Sequence, residues 1–266
     1  MSAAPRIVPL WNHLPGTAPE DTPRLEIFAP AEHDAGSATQ AVVVLPGGGY
    51  ARRAEHEGEA VARCLAARGV VGIVAHYRVA PHRFPSPVAD ACRAVRLARS
   101  LAGELAFDPG KLALMGFSAG GHLAATVGTQ PDLHRDAHDD LPGSARPDRL
   151  VLCYGVLSLL GPHGHGMSAR NFLGGEENFT DENERRFDAP AHVSADTPPT
   201  FLFHTADDGS VPVQQSLNFA AACADRGVPF ALHVYTRGVH GVGLAPDDPA
   251  LRGWPDLLTA WLKSPL

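Results

Sequence analysis

A chain of 266 residues with 44% hydrophobic side chains holds enough apolar surface for one large core and too little for two, so a single domain over 1–266 is expected. The net charge is −7, and the basic runs are no longer than the pairs Arg52-Arg53 and Arg185-Arg186, which argues against a nucleic-acid footprint or a patch for anionic membranes. A small, neutral or mildly polar substrate fits this balance better.

The first residues, Met1 to Leu10, lack a basic stretch followed by a long apolar run, and no segment approaches the roughly 20 apolar residues of a membrane span. The expected location is cytoplasmic. Cys64, Cys92, Cys153 and Cys223 are scattered, without the spacing of a metal site or a disulfide frame, and read as small buried side chains in a reducing compartment. Beyond a Pro-rich N-terminal arm there is no low-complexity tract, and no internal repeat.

Apolar, β-branched runs follow at Leu25 to Phe28, Ala41 to Leu45, Val70 to Ala75, Lys111 to Met115, Leu150 to Tyr154, Thr200 to His204 and Phe230 to Tyr235. Helical patterns lie between most of them, the alternation of a mainly parallel sheet covered on both faces. Helices are expected over Glu57 to Arg68, Val88 to Leu101, Ala119 to Thr129, Val213 to Arg226 and Ala250 to Leu262. In the second, Val88, Ala91, Cys92, Val95, Ala98 and Leu101 share one face, with Asp90, Arg93, Arg96 and Arg99 on another, so it packs on the sheet. Gly69 and Gly227 stand where a helix end favours a left-handed residue. The stretch from Gly155 to Pro199 breaks the rhythm and is too long for a plain connection; a covering, lid-like segment at about 156–199 is expected there.

The strongest chemical signal is Gly116-Phe117-Ser118-Ala119-Gly120-Gly121, between an apolar run and a small-residue helix. This is Gly-x-Ser-x-Gly in the strand, turn, helix setting of a nucleophile elbow. The glycines allow a turn too tight for a Cβ, and the helix N-terminus favours charge forming on a substrate oxygen. A serine hydroxyl needs a base, and the base needs a carboxylate to orient it; in this architecture they follow in the order acid, then histidine. His240 sits in the glycine-rich loop Gly238 to Gly243, just after the last strand. For the acid, Thr200 to His204 runs into Thr205-Ala206-Asp207-Asp208-Gly209-Ser210. The carboxylate nearest the strand end favours Asp207, with Asp208 holding the turn or capping the next helix. Two backbone amides must receive the oxyanion, one from Ala119 and one from the loop Pro46-Gly47-Gly48-Gly49-Tyr50.

Taken together, Pro-Gly-Gly-Gly-Tyr, His56-Glu-Gly-Glu, His76-Tyr-Arg-Val-Ala-Pro, Gly-Phe-Ser-Ala-Gly-Gly-His-Leu-Ala-Ala, His204-Thr-Ala-Asp-Asp and His240-Gly-Val-Gly-Leu resemble the carbohydrate acetylesterase and acetyl-xylan-esterase-like branch of the α/β hydrolases, from about Ala41 to Leu262. The resemblance implies the α/β-hydrolase fold and deacetylation of sugars or other short acyl esters, with Ser118, Asp207 and His240 as catalytic triad. Gly48, Gly49 and Ala119 would then form the oxyanion hole. The sequence has Pro-Gly-Gly-Gly where hormone-sensitive-lipase-like relatives have His-Gly-Gly-Gly. Gly209-Ser210 and the His-rich stretch Gly161 to Gly166 fit the pattern least.

His163, His165, His134, Asp136 and His138 could suggest a metal, but loop histidines in a sequence with 14 of them are more often solvated, so neither metal nor cofactor is expected. His56 and Glu57 either support the oxyanion loop and line the pocket or simply favour a helix start. Tyr77 and Arg78 read either as a buried network holding loops together, the reading preferred, or as substrate contacts. The expected partner is a small-molecule ester, with no nucleic acid and no membrane; a homo-oligomer stays open. Two rival readings are a small prolyl-oligopeptidase-like peptidase, disfavoured by a length too short for a substrate-screening propeller, and a non-catalytic receptor on the same fold, disfavoured because serine and histidine are both present.

Overall fold

The computed structural model describes residues 4–12, 22–31 and 39–265; part of the Pro-rich N-terminal arm lies outside them. Among the described residues the strands are β1 (Arg6–Pro9), β2 (Arg24–Phe28), β3 (Thr39–Leu45), β4 (Val70–His76), β5 (Phe107–Phe117), β6 (Arg149–Cys153), β7 (Thr200–Thr205) and β8 (Phe230–Tyr235). They form one eight-stranded sheet in the order β1-β2-β4-β3-β5-β6-β7-β8. β1 and β2 pair antiparallel, as do β2 and β4, and every later neighbour pair is parallel. The expected α/β-hydrolase fold is therefore present, with one strand that sequence periodicity does not reveal. β1 has four residues with exposed or half-exposed side chains, so it carries no apolar alternation.

The helices are α1 (Glu59–Ala66), α2 (Ser86–Ser100), α3 (Ala119–Thr129), α4 (Gly166–Leu173), α5 (Asp181–Arg186), α6 (Gln214–Asp225) and α7 (Trp254–Lys263). The helix expected from Glu57 is in fact two pieces: a 3-10 turn at Glu55–Glu57, then α1 after Gly58. The one expected from Ala250 starts only at Trp254. Gly69 and Gly227 have φ values of 79° and 68°, the left-handed conformation anticipated for them.

The central strands read as continuous apolar runs because both faces are covered. Along β3, Ala41, Val43 and Leu45 join the core that includes residues of α2, α3 and α6, whereas Val42 and Val44 join the one that includes residues of α1 and α7. Leu150 and Leu152 alternate with Val151 and Cys153 in β6 in the same way. The segment at 156–199 is anchored, since Leu157, Leu159, Phe172 and Phe187 all point into the first core and are at most 1% exposed.

The polar face of α2 is not a solvent face. Asp90, Arg93 and Arg96 are buried. Asp90 accepts from Trp11 Nε1 at 2.7 Å and from the Arg78 backbone amide and guanidinium at 2.7–2.8 Å. Arg93 and Arg96 share the Asp139 carboxylate. Tyr77 donates to the Pro46 carbonyl at 2.6 Å, so the Tyr77-Arg78 pair holds loops together, as its sequence context suggests. Removing one partner of a buried ion pair strands the other. Asp90→Ala should therefore lower stability by about 3 to 5 kcal/mol, read from the denaturant midpoint; a loss under about 1 kcal/mol would mean that Arg78 finds water instead.

Candidate active site

Ser118 sits between β5 and α3 with φ 50° and ψ −117°, a backbone that L-residues rarely adopt and that neighbouring glycines make feasible. A Cβ on Gly116 would lie 2.0 Å from the Gly120 carbonyl oxygen, and one on Gly120 would lie 2.1 Å from that of Leu45. Both positions thus admit only glycine. The turn delivers Ser118 Oγ to 2.8 Å from His240 Nε2.

His240 Nδ1 lies 2.7 Å from Asp208 Oδ2. This corrects the expectation that Asp207 orients the histidine. The carboxylate only accepts, so Nδ1 carries the proton and Nε2 is left to accept from the serine hydroxyl. The strand register explains the exchange. Pairing with β8 continues past β7, where the Ala206 amide donates to the Tyr235 carbonyl at 2.7 Å, and the Asp208 amide then turns back onto Thr205 O. Asp207 is left exposed at the tip of that turn, its Oδ1 accepting from the Gly238 amide at 2.8 Å. Asp208 is folded underneath, its side chain fully buried.

Asp208 also holds the turn, Oδ1 accepting from the Ser210 and Val211 amides at 2.9 Å each. Burial alone would raise its pKa, but the His204 ring 3.6 Å away and the hydrogen bonds from His240 and the two amides outweigh that and hold the carboxyl well below the usual carboxylate range. Because the folded value is depressed, the carboxylate keeps its charge far below the ordinary Asp value; the stability it contributes is full above that ordinary value and is lost progressively as the pH falls from there through the folded one.

The glycine loop faces this chain of hydrogen bonds. Gly47 O accepts from the Ala54 amide at 2.9 Å and Gly48 O from the Ala51 amide at 3.1 Å. Each fixed carbonyl aims the N–H of the next residue, Gly48 or Gly49, the opposite way across its planar peptide. Among the described residues no acceptor bonds the amides of Gly48, Gly49 or Ala119. Tyr77 holds Pro46 O, and Asn171 on α4 donates to Gly49 O at 2.8 Å. Tyr50 OH lies 2.6 Å from Nδ1 of His122 on α3. Burial pushes the His122 imidazole down to about 3, so this link does not open by protonation near neutral pH.

Ser118, His240, Gly48 and Gly49 line a cavity of about 410 Å³ together with His165, Met167, Ser210 and the His56-Glu57 pair. Met167 is 53% exposed, the large apolar side chain that the 156–199 segment turns outward. His165 caps α4 with its Nδ1 near Ser168; burial, reinforced by the neighbouring His240, lowers its pKa. The other loop histidines are dispersed. His138 contacts Asp136 within one loop, at 3.0 Å, and His134 packs edge-on against Phe84. Among the described residues no three His, Cys, Asp or Glu side chains are arranged to hold a metal ion.

Glu57 is the feature sequence reading left undecided. It is 2% exposed; Oε2 accepts from the Gly47 amide at 2.8 Å and Oε1 from the Tyr154 hydroxyl, also at 2.8 Å. Tyr154 in turn accepts from the Gly243 amide at 3.0 Å and sets its ring edge-on to that of His240, 5.3 Å between centroids. Tyr154 had no signal beyond its place at the carboxyl end of β6, where sites of open α/β sheets gather.

The BD-FAE family model matches residues 25–223. The chain is 37% identical over 220 residues to an endo-1,4-beta-xylanase B of Butyrivibrio fibrisolvens, and 30% identical over 239 residues to an acetylxylan esterase of Xylanibacter ruminicola. These stretches cover 80% and 85% of this chain but 34% and 45% of the relatives, so the chain spans less than half the length of either. The crystal structure of an acetyl ester-xyloside bifunctional hydrolase from Caldicellulosiruptor lactoaceticus superposes with a TM-score of 0.86 at 40% identity, covering 97% of this chain and 95% of that one. The chain belongs to the BD-FAE family of acetyl-xylan-esterase-like α/β-hydrolases.

Proposed function

We propose that the protein is a serine esterase that removes short acyl groups, acetyl above all, from hydroxyls of sugars or xylan fragments. The observation that carries this reading is the hydrogen-bonded series Ser118, His240, Asp208 set opposite glycine amides that have no acceptor among the described residues. Ser118 Oγ attacks the ester carbonyl carbon while His240 Nε2 takes its proton, and Asp208 stabilises the imidazolium that results. The carbonyl oxygen, now an oxyanion, receives hydrogen bonds from Gly48, Gly49 and Ala119 N–H. Collapse of the tetrahedral species breaks the bond to the alcohol, which leaves with the proton from His240. Water then attacks the acyl-enzyme, giving its proton to His240, and the acid departs as Ser118 recovers the hydrogen. This chemistry requires no cofactor.

The acyl and alcohol preferences follow from the cavity wall. His165, Ser210 and His56 place polar groups in its wall beside the large apolar side chain of Met167, while Leu157, Leu159, Phe172 and Phe187 of the 156–199 segment are buried in the core. Each buried methylene returns only about 0.8 kcal/mol, so a longer acyl chain gains little and loses as soon as it no longer fits. On a series of p-nitrophenyl esters, kcat/KM should peak at acetate or propionate and fall steeply by about eight acyl carbons. A maximum at decanoate, or activation by a lipid interface, would contradict the assignment.

In this reading 1–266 acts as one α/β unit, with 156–199 as cover to the site. Among the described residues no helix is long and apolar enough to cross a membrane. The four cysteines are free thiols, which fits the reducing, cytoplasmic setting of this reading.

A further inference from the structure

Two loops must keep a fixed relation for the proposed chemistry: the glycine loop that would receive the oxyanion, and the loop that carries His240. Glu57 touches the first directly and the second through one intermediary. Its Oε2 holds the Gly47 amide, its Oε1 holds the Tyr154 hydroxyl, and Tyr154 O holds the Gly243 amide. Trp254 closes the far side, donating to Gly243 O at 3.1 Å. The adjacent His56 reaches the same loop, its Nε2 lying 2.9 Å from Gly241 O.

A buried carboxylate is costly unless its lone pairs are satisfied. Here neutral donors from two different loops supply the direct hydrogen bonds, and the cationic candidate, His56, stands 3.6 Å away and is 56% exposed. A helix start needs only a surface acid, so helix propensity does not explain a Glu that is 2% exposed. Two acceptor oxygens facing two donors on separate loops do explain it. We propose that Glu57 is a positioning residue for esterase turnover, a two-sided acceptor that sets the oxyanion loop and the His240 loop in one frame through Tyr154. The inference rests on the esterase reading above.

Glu57→Gln preserves shape but offers one acceptor oxygen. If that oxygen keeps the Gly47 amide, the Gln NH2 faces Tyr154, whose hydroxyl loses its acceptor. The site remains, but its two halves are no longer registered, and displacements on the order of 1 Å cost up to about 10²-fold in rate. Turnover of p-nitrophenyl acetate should be measured per active site titrated with a fluorophosphonate, so that unfolded molecules are not counted. Glu57→Gln should lose about 10- to 100-fold in kcat with KM changed by less than about threefold, the pattern of a contact felt in the transition state.

Tyr154→Phe, which cuts the same link from the other side, should lose roughly tenfold, and the double variant should be no slower than Glu57→Gln alone. Wild-type kcat per titrated site in Glu57→Gln, or losses that multiply in the double variant, would overturn the proposal. If Glu57→Gln does not fold, Tyr154→Phe decides, and unchanged kcat there overturns it equally. Wild-type protein without acetate hydrolysis would instead overturn the esterase reading and this inference with it.

Discussion

Asp208→Asn should lower kcat on a short acyl ester by about 10⁴-fold, while Asp207→Asn should change it by less than about tenfold. The difference comes from one hydrogen bond. Asp208 Oδ2 meets His240 Nδ1 at 2.7 Å, which in the proposed mechanism selects the tautomer whose Nε2 accepts from Ser118 and stabilises the imidazolium formed as the proton moves. An asparagine there can present its NH2 to Nδ1 and stabilise the wrong tautomer. Asp207 accepts only from the Gly238 amide at the base of the His240 loop, a contact an asparagine oxygen can keep. Steady-state kinetics of both variants at neutral pH decide between them; a larger loss in Asp207→Asn would mean that the turn rearranges when substrate binds.

Ser118→Ala should remove roughly 10⁶-fold of kcat, leaving only what the cavity and its amides achieve with water. His240→Ala should do about the same, and the two together no more, because serine and histidine act as one unit. The strained backbone at position 118 belongs to the turn rather than to the side chain, and alanine tolerates it about as well as serine. The Ser118→Ala protein should therefore keep its thermal midpoint, which separates lost chemistry from lost folding. Residual turnover within about tenfold of wild type would show that another group attacks the ester.

What the sequence reveals of this site depends on how local the geometry is. The elbow is legible because Gly116 and Gly120 are forced by contacts of under 2.2 Å within a few residues or with the adjacent strand. His240 is legible from its place in a glycine loop after the last strand. The choice between adjacent aspartates is not, because it depends on where β7 stops: one further residue of register with β8, Thr205, and one hydrogen bond from Ala206 put the second aspartate, not the first, beneath the turn. The buried charges of α2 are hidden for a related reason, since their partners Trp11, Arg78 and Asp139 come from distant loops. Glu57 is visible as an acid in the sequence but not as a bridge, because Tyr154 and Gly243 lie far along the chain from it and only the fold brings them together.

In the proposed mechanism Ser118 carries the acyl group between the two halves of the reaction. Rapid mixing with p-nitrophenyl acetate, acid quench and peptide mass spectrometry test it most directly. A burst of p-nitrophenolate stoichiometric with enzyme and one added acetyl group on Ser118 are expected, both absent in Ser118→Ala. An acetyl group on a different residue, or turnover with a burst that persists in Ser118→Ala, would contradict it.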